Sequence, residues 1–478
     1  MAYGETLAVR GKPDAERRPF GSEWKKEFLF DPTWRNLNHG SFGTYPLHIR
    51  DKLRGYQDQA EARPDQFIRY DQPGLLDEAR GAVARLVKAP VDTVVFVGNA
   101  TEGVNTVLRN LAWAEDGRDV ILSFSTVYEA CGKAADYLVE YFGARGGGLE
   151  HRSIEIAYPL EDDEITAAFR EAVRRVRDDD GKRARVAVLD VVSSRPGVAF
   201  PWVDVVAACR ELGVLSLVDG AQGVGMVLLD LGAADPDFFV SNCHKWLHVP
   251  RGCAVLYTPE RNQGLLRTTL ATSHGYTPRR RRDGDEDEDD ETTTTPLPPK
   301  SADKSAYVSN FEFVGTRDNA PYLCVKDAIA WREDVCGGED RVLEYLWALN
   351  KKGIRTVADA LGTEYLDNAK GTLTDCAMGN VALPVVWAGG RGGGGGGGAG
   401  AKETDVVVPE EHRDTVLQWM GETLVRDYRT FMSQFIMGDR YWVRLSAQIY
   451  LDEGDYEAGA AILKELCGRI GKREYLKE

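Results

Sequence analysis

Five short apolar runs rich in β-branched residues recur along the chain: Val94–Val97, Val120–Phe124, Val186–Leu189, Leu215–Val218 and Phe238–Val240. None alternates apolar with polar residues, so both sides of each strand are expected to be covered. Helical stretches separate them, and the one at 203–212 closes on Gly213, a residue that readily takes the left-handed cap conformation. Short buried strands alternating with helices predict an α/β chain with a mainly parallel sheet flanked by helices. The run at 253–257 comes too soon for another crossover helix, which predicts an antiparallel strand in the same sheet.

With 478 residues, 43% of them hydrophobic, the chain is too long for one ordinary core. The expected division is an N-terminal arm and loop (1–50, the first 27 residues loose), a large domain (51–330) and a small C-terminal α+β domain (331–478). The last rests on a helical stretch near 410–429, a strand-like 441–451 and a helix near 456–470. Two low-complexity stretches, 277–300 (arginines, then an acidic run, then Thr and Pro) and the Gly-rich 389–401, are expected to be disordered loops outside the chemistry. The net charge of -16 argues against a nucleic-acid or anionic-membrane binder. The first residues lack the apolar core of a signal peptide, and no stretch reaches the roughly 18 apolar residues of a membrane span. Eight cysteines without a CxxC pair are expected to be reduced thiols of a cytoplasmic protein, with no metal site.

The chemistry gathers at strand ends, where open parallel sheets place ligands. Asp219 closes one apolar run, Gln222 follows three residues on, and Lys245 stands 26 residues after Asp219 in "SNCHKWL". Alone, Asp219 reads as a turn cap and Lys245 as one lysine among many. Together they suggest a pyridoxal phosphate site. A carboxylate would keep the ring nitrogen protonated, and a lysine amine would anchor the cofactor and carry the substrate's α-proton. In "VVFVGNATEGVNTVL" a strand turns tightly into a helix, and Asn99 and Glu102 have capping-box spacing. Ala100 and Thr101 at that helix start are candidates for the cofactor phosphate, or simply part of an ordinary N-cap. His244 either adds a charge-assisted contact or is a buried structural histidine. Tyr128 follows the 120–124 run and either stacks on a flat ring and passes a proton, or fills the core. The Gly- and Asn-rich Asn36–Pro46 loop has the backbone freedom to shape itself around a ligand, though an ordinary turn reads the same way. Arg444, on an otherwise largely apolar strand, suits either bidentate capture of a carboxylate or a structural ion pair.

These segments resemble the class V aminotransferases, a group within fold type I of the pyridoxal phosphate enzymes. "LNHGSFG" and "NCHKW" are similar to the isopenicillin N epimerase-like branch. The longer matches, such as "DTVVFVGNATEGVNTVLRN", "VDGAQGVGMV", "DPDFFVSNCHKWL", "SNFEFVGTRDNAP" and "RLSAQIYL", resemble the fungal hercynylcysteine sulfoxide lyases of ergothioneine biosynthesis. The resemblance covers nearly the whole chain outside the arm and the two low-complexity stretches. It implies that Lys245 carries the covalent link, Asp219 pairs with the ring nitrogen and Gln222 contacts the ring oxygen. Ala100, Thr101, Asn242 and His244 would surround the phosphate, although many relatives have a serine where this chain has Asn242. Tyr128 would stack on the ring and serve as an acid, and Ser194 would face the ring oxygen and substrate. Gly315 and Thr316 would reach the phosphate of a partner copy, which implies a homodimer. Arg444 would bind the substrate carboxylate, with Asn38 and His39 on the substrate side. Phe42, Tyr45, Phe67 and Tyr70 are candidates for a trimethylammonium group. The implied reaction is cleavage of the carbon–sulfur bond of hercynylcysteine sulfoxide, giving a sulfenic acid that becomes ergothioneine, with pyruvate and ammonia. Epimerases and cysteine desulfurases of the same superfamily are the alternatives.

Overall fold

A computed structural model describes residues 18–144, 148–276, 304–389 and 405–477. The stretch 277–300 and all but the first residue of 389–401 lie outside the described residues. The five apolar runs form β1 (Val94–Val97), β2 (Asp119–Phe124), β4 (Arg183–Asp190), β5 (Leu215–Asp219) and β6 (Phe238–Asn242). With β3 (Leu149–Ile154) and β7 (Ala254–Tyr257) they build a seven-stranded sheet in the order β1-β7-β6-β5-β4-β2-β3. β7 runs antiparallel to both β1 and β6, as its short connection requires, and the remaining pairs are parallel. β3 carries no apolar run. It is an edge strand, half-exposed along its middle, so its polar sequence hides it from a search for buried strands.

Successive residues of each central strand enter opposite layers. Val95, Val97, Ile121, Val186, Val188, Leu217 and Val240 pack on one face, while Val94, Phe96, Leu122, Ala187, Leu189, Val218 and Phe239 pack on the other. Helices Ala100–Asn110 and Glu129–Gly143 cover the first face, and Gln72–Leu86, Trp202–Leu212 and Ala320–Trp331 the second. Two covered faces explain why the runs do not alternate with polar residues. Gly213 caps the Trp202–Leu212 helix in the left-handed conformation, as expected.

A second sheet, in the order β10-β11-β8-β9, uses β8 (Met378–Trp387), β9 (Val406–Val408), β10 (Ser433–Met437) and β11 (Arg440–Ser446). The strand expected over 441–451 ends at Ser446. From there the backbone leaves its sheet partners, and the amides of Ser446 and Ala447 donate to Leu37 and Ala377. The arm also differs from expectation over 18–27. Trp24 is buried, the Gly21 amide donates to Ile449, and Lys25 pairs with the buried Asp455. One aromatic anchor and one ion pair therefore fasten a segment whose composition is polar. No helix among the described residues is long and apolar enough to cross a membrane.

The Ala100–Asn110 helix approaches β6 through Gly103, where an added Cβ would lie 2.6 Å from Val240. Gly103→Val is expected to push this helix off the sheet and lower unfolding stability by about 1–3 kcal/mol, the usual cost of overpacking. Urea denaturation checks it, and an unchanged midpoint contradicts the close packing.

Candidate active site

The carboxyl ends of β1, β2, β4, β5 and β6 open onto a single cavity of about 200 Å³. Ala100, Thr101, Tyr128, Ser194, Asp219, Gln222, Asn242, His244 and Lys245 all line it, together with Ser41 and Phe42 from the N-terminal loop. The topology alone brings them together, because the crossover helices return every one of these strands to the same edge.

Lys245 lies on the one-turn helix Cys243–Trp246 that follows β6. Burial pushes its amine down to about 8, against the opposing pull of Asp219 and with help from the charge of Arg444. Segments far apart in sequence hold its backbone. His39 Nε2–H donates to the Lys245 carbonyl at 2.7 Å, and its Nδ1 meets the Tyr450 hydroxyl at 2.8 Å. A carbonyl only accepts, which fixes the proton on Nε2, and burial holds the ring neutral with a pKa of about 3. The Arg332 guanidinium donates to the carbonyls of Trp246 (3.0 Å) and Gly225 (3.1 Å) while paired with Glu339. Trp246 Nε1–H donates to Gln222 Oε1 at 2.7 Å, and Gln222 Nε2 donates to the Gly40 carbonyl at 2.8 Å. Gly43, at φ 62°, leaves room for the His244 carbonyl, from which an added Cβ would be 1.9 Å away. His39 therefore does not face the substrate as expected. It is buried behind Lys245 with both ring nitrogens engaged. Gln222 does reach the cavity, but its amide is fixed by two protein bonds.

At the expected phosphate end, Asn99 caps the Ala100–Asn110 helix and accepts from the Glu102 amide at 2.9 Å. The Glu102 side chain reaches back to the Gly98 amide at 2.8 Å, one residue beyond the reciprocal bond of a capping box. Asn242 Oδ1 accepts from the Ala100 amide at 2.9 Å. Of the two candidates at this helix start, Thr101 shows no partner for its N–H and hydroxyl among the described residues, whereas the Ala100 N–H already donates to Asn242. His244 donates through Nδ1 to the Cys253 carbonyl at 2.9 Å, and burial lowers its pKa to about 4. As it stands its Nε2 is an acceptor, and an anion bound beside it would favour the protonated, donating form.

At the ring end, Asp219 Oδ1 accepts from the Ala221 amide at 2.9 Å and Oδ2 from the Cys131 thiol at 3.1 Å. Tyr128 precedes the Glu129–Gly143 helix and stays 44% exposed at the mouth, so it is no core residue. Arg444 on β11 is buried behind the wall. It donates to the Ser194 carbonyl (2.6 Å), Asn38 Oδ1 (2.9 Å) and Ser41 Oγ (2.9 Å). Burial, and then the charge of Arg195, lower it to about 10. Only neutral acceptors meet this guanidinium among the described residues, so a structural ion pair does not explain it. Asn38 serves by orienting Arg444.

Gly315 and Thr316 do not reach this cavity within one chain. Thr316 lines a separate cavity of about 390 Å³ with Tyr56, Phe67 and Gln72. Of the four aromatic candidates, Phe42 alone lines the Lys245 cavity, 70% exposed at its rim. Asp190 and Cys131 were not foreseen as lining residues. The signal for Asp190 was present, because it closes the 186–189 run as Asp219 closes its own.

Only an uncharged amine attacks a carbonyl. Loading of pyridoxal phosphate onto the apoprotein is therefore expected to slow about tenfold per pH unit below the Lys245 midpoint of about 8, and to level off above it. Stopped-flow absorbance over a pH series checks this, and a flat profile contradicts it.

Comparison with known proteins agrees with this geometry. Residues 71–277 match the family described as aminotransferase class-V. The L-cysteine desulfhydrase-like protein lolT1 of Epichloe uncinata is 35% identical, the match covering 96% of this chain and 99% of that protein. The hercynylcysteine sulfoxide lyase of Schizosaccharomyces pombe is 28% identical over 95% of this chain and 99% of its own. Among solved structures, the cystine C–S lyase C-DES in complex with cysteine persulfide superposes with a TM-score of 0.67. It is 17% identical, with 91% of this chain and 98% of that one covered. The fold, the strand-end cavity and the full-length relatives converge: the chain belongs to the class V aminotransferases, pyridoxal phosphate enzymes of fold type I.

Proposed function

We propose that this carbon–sulfur lyase acts on hercynylcysteine sulfoxide, releasing a sulfenic acid, with pyruvate and ammonia; a thiol reductant outside this reaction then takes the sulfenic acid to ergothioneine. The residues fit the cofactor. The Asp219 carboxylate, the Thr101 hydroxyl at a helix start and a lysine with a lowered pKa all line the same cavity. When bound, pyridoxal phosphate supplies an electron sink for the substrate's α-carbon.

The chain's own groups do the rest. Thr101, Asn242 and His244 hold the phosphate, and Asp219 keeps a proton on the ring nitrogen. Ser194 and the remaining N–H of Gln222 orient the ring oxygen. Arg444 attracts the substrate carboxylate from behind Ser41 and Ser194, and direct contact requires its bonds to Asn38 and Ser41 to open. Lys245 removes the α-proton, and its lowered pKa suits that role near neutral pH. Tyr128, at the mouth, donates a proton as the sulfur group departs. The β C–S bond breaks with its electron pair going to sulfur, and water converts the three-carbon remainder to pyruvate and ammonia. Phe42 offers a ring face to the trimethylammonium group. A second copy of the chain, contributing Gly315 and Thr316, completes the phosphate site. Neither residue lines the Lys245 cavity of its own chain, and Thr316 lines a separate one, which is consistent with that arrangement.

The observation that carries the lyase reading over a desulfurase is the state of the thiols. All eight cysteines are buried, and the one that lines the cavity, Cys131, is held protonated by burial with its thiol committed to Asp219, so none stands as a free thiolate to take sulfur from a substrate. An epimerase would share Lys245 and Arg444 but keep the side chain intact. Pyruvate release from hercynylcysteine sulfoxide is expected to exceed that from cysteine or cystine sulfoxides. Tyr128→Phe is expected to lower kcat by about 10²–10⁴-fold with KM little changed. Coupled lactate dehydrogenase assays measure both. Racemised substrate without pyruvate identifies an epimerase, and an unimpaired Tyr128→Phe removes the tyrosine from the proton path.

A further inference from the structure

Asp190 and Asp219 end adjacent parallel strands and are directly opposed in register. Both line the Lys245 cavity. Their surroundings differ sharply. Asp219 receives a backbone N–H from Ala221 and a thiol S–H from Cys131, one for each oxygen. Burial pushes the Cys131 thiol up, so it keeps its proton and remains a donor. Asp190 is only 7% exposed, and no hydrogen bond or ion pair among the described residues reaches its carboxyl group. A buried carboxylate without donors is costly, and two side by side cost more. Burial and the Asp219 charge push the Asp190 carboxyl well up, and Lys245 opposes them. The other titratable groups facing it are Cys131 and Tyr158, both of which burial holds neutral.

We propose that Asp190 is a positioning residue of the cofactor site: a neutral carboxylic acid whose O–H is directed into the cavity, so that one negative charge, on Asp219, faces the bound ring. The division follows the donors. The proton belongs on the carboxyl that has none, and the charge on the one that has two. A site so arranged offers the ring a charge partner and a neutral donor, where two carboxylates would offset the charge of Lys245 and compete for the ring-nitrogen proton. This rests on Asp219 as the partner of the ring nitrogen. It does not depend on which sulfur compound is cleaved.

Three variants test it in the holoenzyme, with circular dichroism and melting curves confirming the fold of each. In infrared difference spectra of wild type minus Asp190→Asn at neutral pH, the carbonyl stretch of a protonated carboxyl is expected, and the paired carboxylate bands are not. Asp190→Asn, a neutral donor, is expected to bind pyridoxal phosphate within about twofold of wild type. Asp190→Leu, which cannot donate, is expected to bind about three- to tenfold more weakly. Carboxylate bands in the difference spectrum overturn the proposal, as does a change in affinity beyond tenfold in Asp190→Asn. Asp219→Asn separates this failure from that of the underlying assignment. If it leaves the cofactor's visible spectrum and affinity unchanged, Asp219 is not the ring partner, whatever Asp190 does.

Discussion

Everything at this site depends on how the backbone around Lys245 is held. A one-turn helix has too few internal hydrogen bonds to fix a side chain by itself. Its carbonyls are fixed from outside, by His39 at Lys245 and by Arg332 at Trp246, while the Trp246 ring is tied through Gln222 to Gly40. Each donor is itself buried and engaged, so loosening one would strand polar atoms in the core. The clamp holds the amine in a narrow cavity where its charge is poorly solvated, and that desolvation is the main reason its pKa falls. A structural network thereby sets a chemical property.

The same economy of charge runs across the cavity. Arg444 is buried against neutral oxygens and Asp219 against two modest donors, and the charges of both act on Lys245. Each of these groups is incompletely compensated by the protein alone. A cofactor with a protonated ring nitrogen and a substrate with a carboxylate supply the missing partners. Incomplete pairing is therefore a form of preparation, and the surrounding sheet supplies the stability that permits it.

The central strands were legible because burial on both faces leaves apolar runs with no polar interruption, and Asp219, Gln222 and Lys245 stood out by their order at strand ends. β3 was not legible, because an edge strand needs only one covered face and "LEHRSI" reads as a polar stretch. Nor was the strand's end at Ser446, where the chain turns to meet Leu37 and Ala377, partners that no local pattern announces. The packed arm over 18–27 is similar, held by Trp24 and by a lysine whose partner, Asp455, is 430 residues away.

Histidine and asparagine roles divide sequence from structure most clearly. A residue type states what bonds a side chain can make, not which way it points. His39 stood in a loop that looked shaped for a ligand and instead turns inward to the Lys245 carbonyl. Asn38, its neighbour, fixes Arg444, and Asn242 takes the helix-start amide of Ala100. By itself the sequence determined the α/β alternation, the strand-end carboxylate and lysine, and the capped helix start, because periodicity and capping are local. Only the tertiary structure decided that Asp190 faces Asp219, that Arg444 meets only neutral acceptors among the described residues and that every cysteine is buried, because burial and charge compensation depend on what distant segments bring to the same place.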